Sequence, residues 1–187
     1  MSQLEENNKG EIWVGSEKFE TLISKSQIQA RIKELADQIN LDYQGKLPIF
    51  IGVLNGSFIF LADLVKEIKI HCEIDFFKLS SYGDSKISSG NVKLIKELNA
   101  DISERHIILV EDIVDTGLSI QFIQNMLSNH NPASVKIVSL LVKPQSLKYK
   151  IKIDYIGFEI PNKFVIGYGL DYAQKFRNLN SIYALSE

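Results

Sequence analysis

A short apolar run, Ile107 to Val110, ends abruptly in two adjacent acids, Glu111 and Asp112, with a third, Asp115, just ahead of Thr116-Gly117. A continuous apolar run bounded by polar residues fits a strand buried on both faces, the kind found in parallel sheets. The pattern from Gly117 to Asn129 is helical, so the unit is a strand, an acidic loop and a helix. Such a unit constrains the fold to an α/β sheet, whose ligands gather at the carboxyl ends of the strands. The strand itself is expected to end at Val110, because adjacent residues on a regular strand face opposite sides and two neighbouring acids can share a ligand only beyond it.

The rest of the chain repeats the alternation. Ser26 to Asn40 reads as an amphipathic helix, with Ile28, Ile32, Leu35, Ala36 and Ile39 on one stripe and Ser26 and Gln29 as a capping box. After Pro48, I-F-I-G-V-L is a second doubly buried strand, followed by an Asn55-Gly56-Ser57 turn. A helical pattern then carries Phe58, Leu61, Ala62, Leu64, Val65 and Ile68. Strands are expected over Glu73–Tyr82, Asn91–Leu98 (half-exposed), Ser134–Val142, Asp154–Phe158 and Phe164–Tyr168. The expected fold class is α/β, a mainly parallel central sheet flanked by helices. With 187 residues and 45% hydrophobic content, residues 10–187 make one domain, and the polar stretch 1–9 a disordered tail.

The single cysteine, Cys72, excludes an internal disulfide and fits a reducing compartment. The opening M-S-Q-L-E-E-N-N-K-G lacks the pattern of a signal peptide, and no run approaches the roughly 20 apolar residues of a membrane span. The expectation is a cytoplasmic protein with no membrane partner. A net charge of −2 disfavours a broad nucleic-acid surface and leaves a small anionic substrate open.

Asp115, Thr116, Gly117, Leu118 and Ser119 offer free backbone N–H groups, hydroxyls and a helix N-terminus, a cradle for one phosphate. The lysine-bearing G-x-x-x-x-G-K-[ST] loop is absent. Three acids beside a bound phosphate are tolerable only if they meet sugar hydroxyls, a cation or a substrate proton. A phosphorylated ribose carrying a pyrophosphate supplies the hydroxyls and recruits Mg²⁺. The plainer alternative makes Asp115 a helix cap and Glu111 and Asp112 solvated loop charges.

E-D-I-V-D-T-G-L-S resembles the phosphoribosyl pyrophosphate signature of type I phosphoribosyltransferases, and within them the 6-oxopurine branch, the hypoxanthine–guanine enzymes. V-L-N-G-S-F-I-F-L-A-D-L, S-S-Y-G, L-L-V-K-P and G-F-E-I-P-N-K-F-V-I-G-Y-G-L-D-Y-A-Q-K-F-R-N-L are similar to that family in order and spacing, from about residue 10 to the end. The resemblance implies that family's fold, including a small hood subdomain. It also implies purine salvage, by transfer of a 5-phosphoribosyl group from phosphoribosyl pyrophosphate to hypoxanthine or guanine with Mg²⁺.

The roles it implies are specific. Glu111 and Asp112 match the acids on the ribose hydroxyls and metal, Asp115 the general base, and Asp115 to Ser119 the 5′-phosphate loop. Leu118 departs from a polar or basic residue common in relatives. Leu54-Asn55-Gly56-Ser57 matches the pyrophosphate loop, which in relatives often holds a non-proline cis peptide, and Asn55 replaces a lysine seen in some of them. Arg177 matches a residue reaching the pyrophosphate, Lys143 the reader of the 6-oxo group, and Phe164 the aromatic stacked on the purine. Val165 offers backbone groups to the purine edge, and Asp171 lies near the purine and a second Mg²⁺. Without the resemblance, Arg177 and Lys143 read as solvated charges, Phe164 as core, Asp171 as a helix N-cap and Asn55-Gly56 as a tight turn.

Ser80 to Asn91 is 12 residues of small polar character. Ser81 and Tyr82 match the start of the family's mobile lid, whose closure would keep water from an oxocarbenium-like transition state. Two rivals stand beside this reading: a phosphoribosyltransferase preferring xanthine, adenine or a pyrimidine, and a relative that senses phosphoribosyl pyrophosphate and regulates a nucleic acid. Lys143 argues against adenine, and the charge balance against the regulator. The family's habit implies a homodimer or homotetramer.

Overall fold

A computed structural model describes residues 10–81, 92–96 and 98–186. The order is β1 (Glu11–Val14), β2 (Glu17–Ile23), α1 (Lys25–Asp42), β3 (Ile49–Leu54), α2 (Phe58–Glu67), β4 (Glu73–Ser81), β5 (Val92–Lys96) and β6 (His106–Val114). Then come α3 (Leu118–Ser128), β7 (Ser134–Val142), β8 (Tyr155–Glu159), β9 (Val165–Ile166) and β10 (Ile182–Leu185).

The apolar runs build a six-stranded sheet ordered β5-β4-β3-β6-β7-β8. Its pairings are parallel except for β5, which lies antiparallel on the edge. One face packs Phe50, Ile108, Val110, Val138 and Leu140 under the apolar stripes of α1 and α2. The other packs Ile49, Ile51, Ile107, Leu109 and Ile137 under Ile120, Ile123 and Leu127 of α3. A sheet covered on both faces explains why its central strands are apolar throughout rather than alternating.

A second, antiparallel sheet, β1-β2-β10-β9, matches the expected hood and encloses its own cluster of Ile12, Phe19, Ile166 and Tyr183. Sequence periodicity did not call β1, β2 or β10. The expected tail over 1–9 and the residue Tyr82 lie outside the described residues.

Three local expectations are corrected. Helix α1 is capped at Ser24, whose side chain and backbone close a box with Gln27. The expected Gln29 instead donates to Asp63 on α2 at 2.9 Å. Ser24-x-x-Gln27 and Ser26-x-x-Gln29 satisfy the same pattern, and the earlier one wins. Second, β6 continues through the acids to Val114. Pairing with β3 stops at Val110, whereas β7 stays paired to Val114, except at Asp112. The facing pattern reverses there: Val110 and Ile113 pack on the α1–α2 side, Val114 on the α3 side. The pleat therefore breaks at Glu111–Asp112 while the strand goes on, because one neighbour lets go and the other holds. Third, Phe164–Tyr168 shortens to the two-residue β9.

Candidate functional site

The acids sit where the pleat breaks. Glu111 is 5% exposed, and its carboxyl is pushed well above the ordinary range by burial and by the charge of Asp112. Burial also pushes Asp112 up to about 6, against the pull of the backbone N–H groups of Ile113 and Asp112 and the charge of Arg177. The Ile113 N–H donates to Asp112 Oδ1 at 2.9 Å. No salt bridge reaches either acid among the described residues; Glu111 is buried and Asp112 half-buried, and the charge of Arg177 only partly offsets the burial of Asp112.

Glu111 shares a small pocket of about 100 Å³ with Asp115, Thr116, Gly117, Leu118 and Ser119, the turn into α3. Gly117 caps that helix at φ 87, and a Cβ there would lie 2.9 Å from Ile151 Cδ1. Conformation is what requires glycine here, since the Ile151 methyl is the movable end of a side chain. Asp115 and Ser119 are exposed and Leu118 half-buried. The turn is tied to the segment after β7: Lys143 N–H donates to Val114 O and Lys148 N–H to Thr116 O, both at 3.0 Å. Those ties bring Lys143, only 7% exposed, to Asp115, with Nζ 3.2 Å from Oδ2.

Asp112 faces away from that turn. Its Oδ2 lies 1.5 Å from where a Cβ on Gly56 would stand, so the carboxylate rests on the bare glycine of the β3–α2 turn. The Leu54-Asn55 peptide is cis and Asn55 is exposed. On the far side of Gly56 sits Gly169, φ 99, where a Cβ would meet Gly56 O at 2.0 Å. Gly169 O accepts from Arg177 Nη1 at 2.8 Å, and Arg177 Nη2 pairs with Asp171 Oδ1 at 2.7 Å. Asp112, Gly56, Gly169, Arg177 and Asp171 therefore form one stack.

Asp171 caps no helix. It receives the Gln174 N–H at 2.8 Å across a tight turn closed by a Tyr172–Lys175 bridge, with Ala173 and Gln174 at φ 51 and 65. Phe164 is 46% exposed, its ring edge-on to Tyr172 with centroids 5.4 Å apart, so it is a surface platform rather than core. Val165 is buried and paired with Ala184. Ser81 ends β4, and the expected lid beyond it lies outside the described residues.

Sequence reasoning missed Gly169, Tyr168 and Asp63. Tyr168 is 4% exposed at φ 51, and its hydroxyl donates to Asp63 Oδ2 at 2.6 Å. The only sequence signal was the G-Y-G spacing, in which two glycines flank a residue that must share their conformation.

The phosphoribosyl transferase domain family matches residues 21–173. A hypoxanthine-guanine phosphoribosyltransferase of Bacillus subtilis is 47% identical over 158 residues, 84% of this chain and 88% of that one. Its counterpart in Streptococcus pyogenes is 43% identical over 166 residues, 89% of this chain and 92% of its own. The crystal structure of a hypoxanthine-guanine phosphoribosyltransferase from Bacillus anthracis superposes with a TM-score of 0.85 at 43% identity, covering 89% of this chain and 98% of that one. These relatives are transferases, and the regulator alternative gains no support from them. With the family match spanning the acidic turn, Gly56, Gly169 and Asp171, the chain belongs to the phosphoribosyl transferase domain family, among its hypoxanthine-guanine phosphoribosyltransferases.

Proposed function

We propose that this protein transfers the 5-phosphoribosyl group of phosphoribosyl pyrophosphate to hypoxanthine and guanine, releasing pyrophosphate. The observation that carries this reading is the 3.2 Å approach of Lys143 Nζ to Asp115 Oδ2 at the lip of the turn into α3. A fixed cation and an exposed carboxylate, far apart in sequence, meet beside a phosphate-sized pocket.

On this reading the 5′-phosphate sits on the N–H groups of Asp115 to Ser119, and backbone amides make the half-buried Leu118 harmless. Glu111 and Asp112 take the ribose hydroxyls. Those hydroxyls relieve two acids that no ion pair among the described residues neutralises, which answers the repulsion between acids and phosphate. Lys143 donates to the 6-oxo oxygen of the base, and adenine's amino group would meet it as a second donor. Phe164 stacks on the purine, with the Val165 backbone at its edge. As the bond from the anomeric carbon to pyrophosphate breaks and that to the ring nitrogen forms, the nitrogen's proton passes to Asp115.

The leaving pyrophosphate is held by the Asn55-Gly56 backbone and the Arg177 guanidinium. Oxygen-only acids at this end suit Mg²⁺, with Asp112, Glu111 and Asp171 as its protein partners. Among the described residues no cluster of three or more potential ligands is present, so substrate phosphates and water would complete the ion's shell. Mg²⁺ would neutralise charge on the departing pyrophosphate. Asp171, paired with Arg177 at 2.7 Å, would be shared between that guanidinium and the ion. Cytoplasmic location and a homodimeric or homotetrameric state complete the proposal; no helix among the described residues is long and apolar enough to cross a membrane.

The test is turnover with phosphoribosyl pyrophosphate and Mg²⁺, offering hypoxanthine, guanine, xanthine, adenine and uracil separately. Nucleotide formation with the first two, cut about 100-fold or more in Asp115→Asn, is expected. A preference for xanthine or adenine, or no turnover, overturns the reading.

A further inference from the structure

The stretch Gly167 to Arg177 has an expensive backbone. Tyr168, Ala173, Gln174 and Phe176 all hold positive φ, with Gly167 and Gly169 beside them at φ 96 and 99. A bulky residue in this region persists only where its surroundings over-determine it. Most of the ties are internal to the stretch or to its exit. Gly167 and Leu170 exchange hydrogen bonds, Tyr168 N–H donates to Leu179 O, and Gly169 N–H donates to Arg177 O at 2.9 Å. Such bonds give the loop a shape without fixing where that shape sits.

Tyr172 and Phe176 seat its far end in the hood cluster, and two contacts with α2 and its approach seat the Tyr168–Gly169 end. At the start of the helix, Gly169 rests on the carbonyl of Gly56. Farther along the same helix, Asp63 Oδ2 accepts the Tyr168 hydroxyl at 2.6 Å. Asp63 is itself oriented from two more directions, by Gln29 Nε2 of α1 at 2.9 Å and by Lys66 Nζ at 2.5 Å. One rigid helix thus carries both the pyrophosphate turn, at its N-terminus, and the anchor of the loop that brings Arg177 over that turn.

We infer that Asp63 and Tyr168 are positioning residues for the pyrophosphate end of the site, their hydrogen bond holding Gly169 and Arg177 in register with Gly56. The inference rests on the proposed phosphoribosyl transfer and deepens it. Neither residue touches substrate. Tyr168 holds the carbonyl that receives Arg177 Nη1, and Asp63 holds Tyr168. Cutting the bond leaves the phosphate turn, Lys143 and Phe164 in place and loosens only the grip on pyrophosphate. An ordinary buried phenol that merely satisfies its hydroxyl would show no such selectivity.

The test is steady-state kinetics on the full chain carrying Tyr168→Phe, Asp63→Ala or both, with thermal melting to establish that each is folded. A hydrogen bond to a charged acceptor supports an expected rise of about tenfold in KM for phosphoribosyl pyrophosphate in Tyr168→Phe. KM for hypoxanthine and kcat should stay within about twofold, and the double variant should be no worse than the poorer single one. An unchanged KM for phosphoribosyl pyrophosphate, an equal rise for both substrates, or additive losses in the double variant overturns the inference and leaves the transfer reaction standing. No turnover by the unaltered protein removes both.

Discussion

The two ends of the central strands carry similar chemistry to opposite effect. At the amino end, charged and polar groups meet partners. Arg105 Nη2 meets Glu73 Oε1 at 2.6 Å, Asp154 accepts from Ile137 N–H at 3.0 Å and from Lys152, and His106 Nδ1 lies 2.8 Å from Ser134 Oγ. Asp42 accepts the Tyr155 hydroxyl at 2.5 Å with Lys136 at 3.5 Å, and its carboxyl is held low, chiefly by that phenol. At the carboxyl end Glu111 is buried and Asp112 half-buried, and both carboxyls are pushed up instead. Asp115 and Asp171 at this end are also paired, with Lys143 and Arg177, so what sets the carboxyl end apart is Glu111 and Asp112, which no ion pair among the described residues neutralises.

The comparison breaks most violently at Gly169. Ala there would put a Cβ 2.0 Å from the carbonyl oxygen of Gly56, a backbone atom with no room to yield, at φ 99. A displacement of the pyrophosphate turn on the scale of 1 Å should cut kcat/KM about 100-fold. Near-normal turnover by Gly169→Ala would mean that this stack does not define the site.

Asp112→Asn tests the imbalance itself. A carboxyl whose folded pKa is raised to about 6 opposes folding once ionised, so its penalty grows as pH climbs from about 4 through 6. Removing the charge should stabilise the metal-free, substrate-free protein by about 2 kcal/mol at pH 7, with no gain below pH 4, while activity falls. Chemical denaturation in chelator-treated buffer at the two pH values reads this directly. A variant destabilised at pH 7 would show that Asp112 is an ordinary structural acid.

How much of this was visible in the sequence depended on locality. Strand β3, the apolar body of β6 and helix α3 were legible because burial on both faces writes itself into consecutive residues. The cradle from Asp115 to Ser119 was legible because a strand, an acid, Thr-Gly and a helix start are contiguous. The end of β6 was misread because losing one neighbour at Val110 leaves no mark in composition. The β1, β2 and β10 strands close a sheet between the two ends of the chain. Asp63 and Tyr168 stand 105 residues apart and read singly as a helix acid and an apolar ring. The tight turn at Ala173-Gln174 lacks the Asn-Gly chemistry that announces positive φ.

The smallest expected effect belongs to the amino end, and its shape matters more than its size. Tyr155→Phe removes one donor from Asp42, whose side chain is 44% exposed, so solvent screening limits the loss to about 1 kcal/mol. Asp42's folded pKa is lowered, so its contribution is present above the unfolded value near 4 and fades as pH falls through the folded one. Tyr155's is raised by burial and by Asp42, so its contribution is full below about 10 and fades as pH rises beyond it. The stability difference between wild type and variant should therefore form a plateau from about pH 5 to 9 and shrink on both sides, with kcat/KM unchanged within about twofold at neutral pH. Unfolding curves across that range, paired with turnover at pH 7, distinguish the two ends of the sheet. A loss of activity equal to that of the carboxyl-end variants would mean that the amino end is coupled to the site, and the contrast between the two ends would no longer separate structure from chemistry.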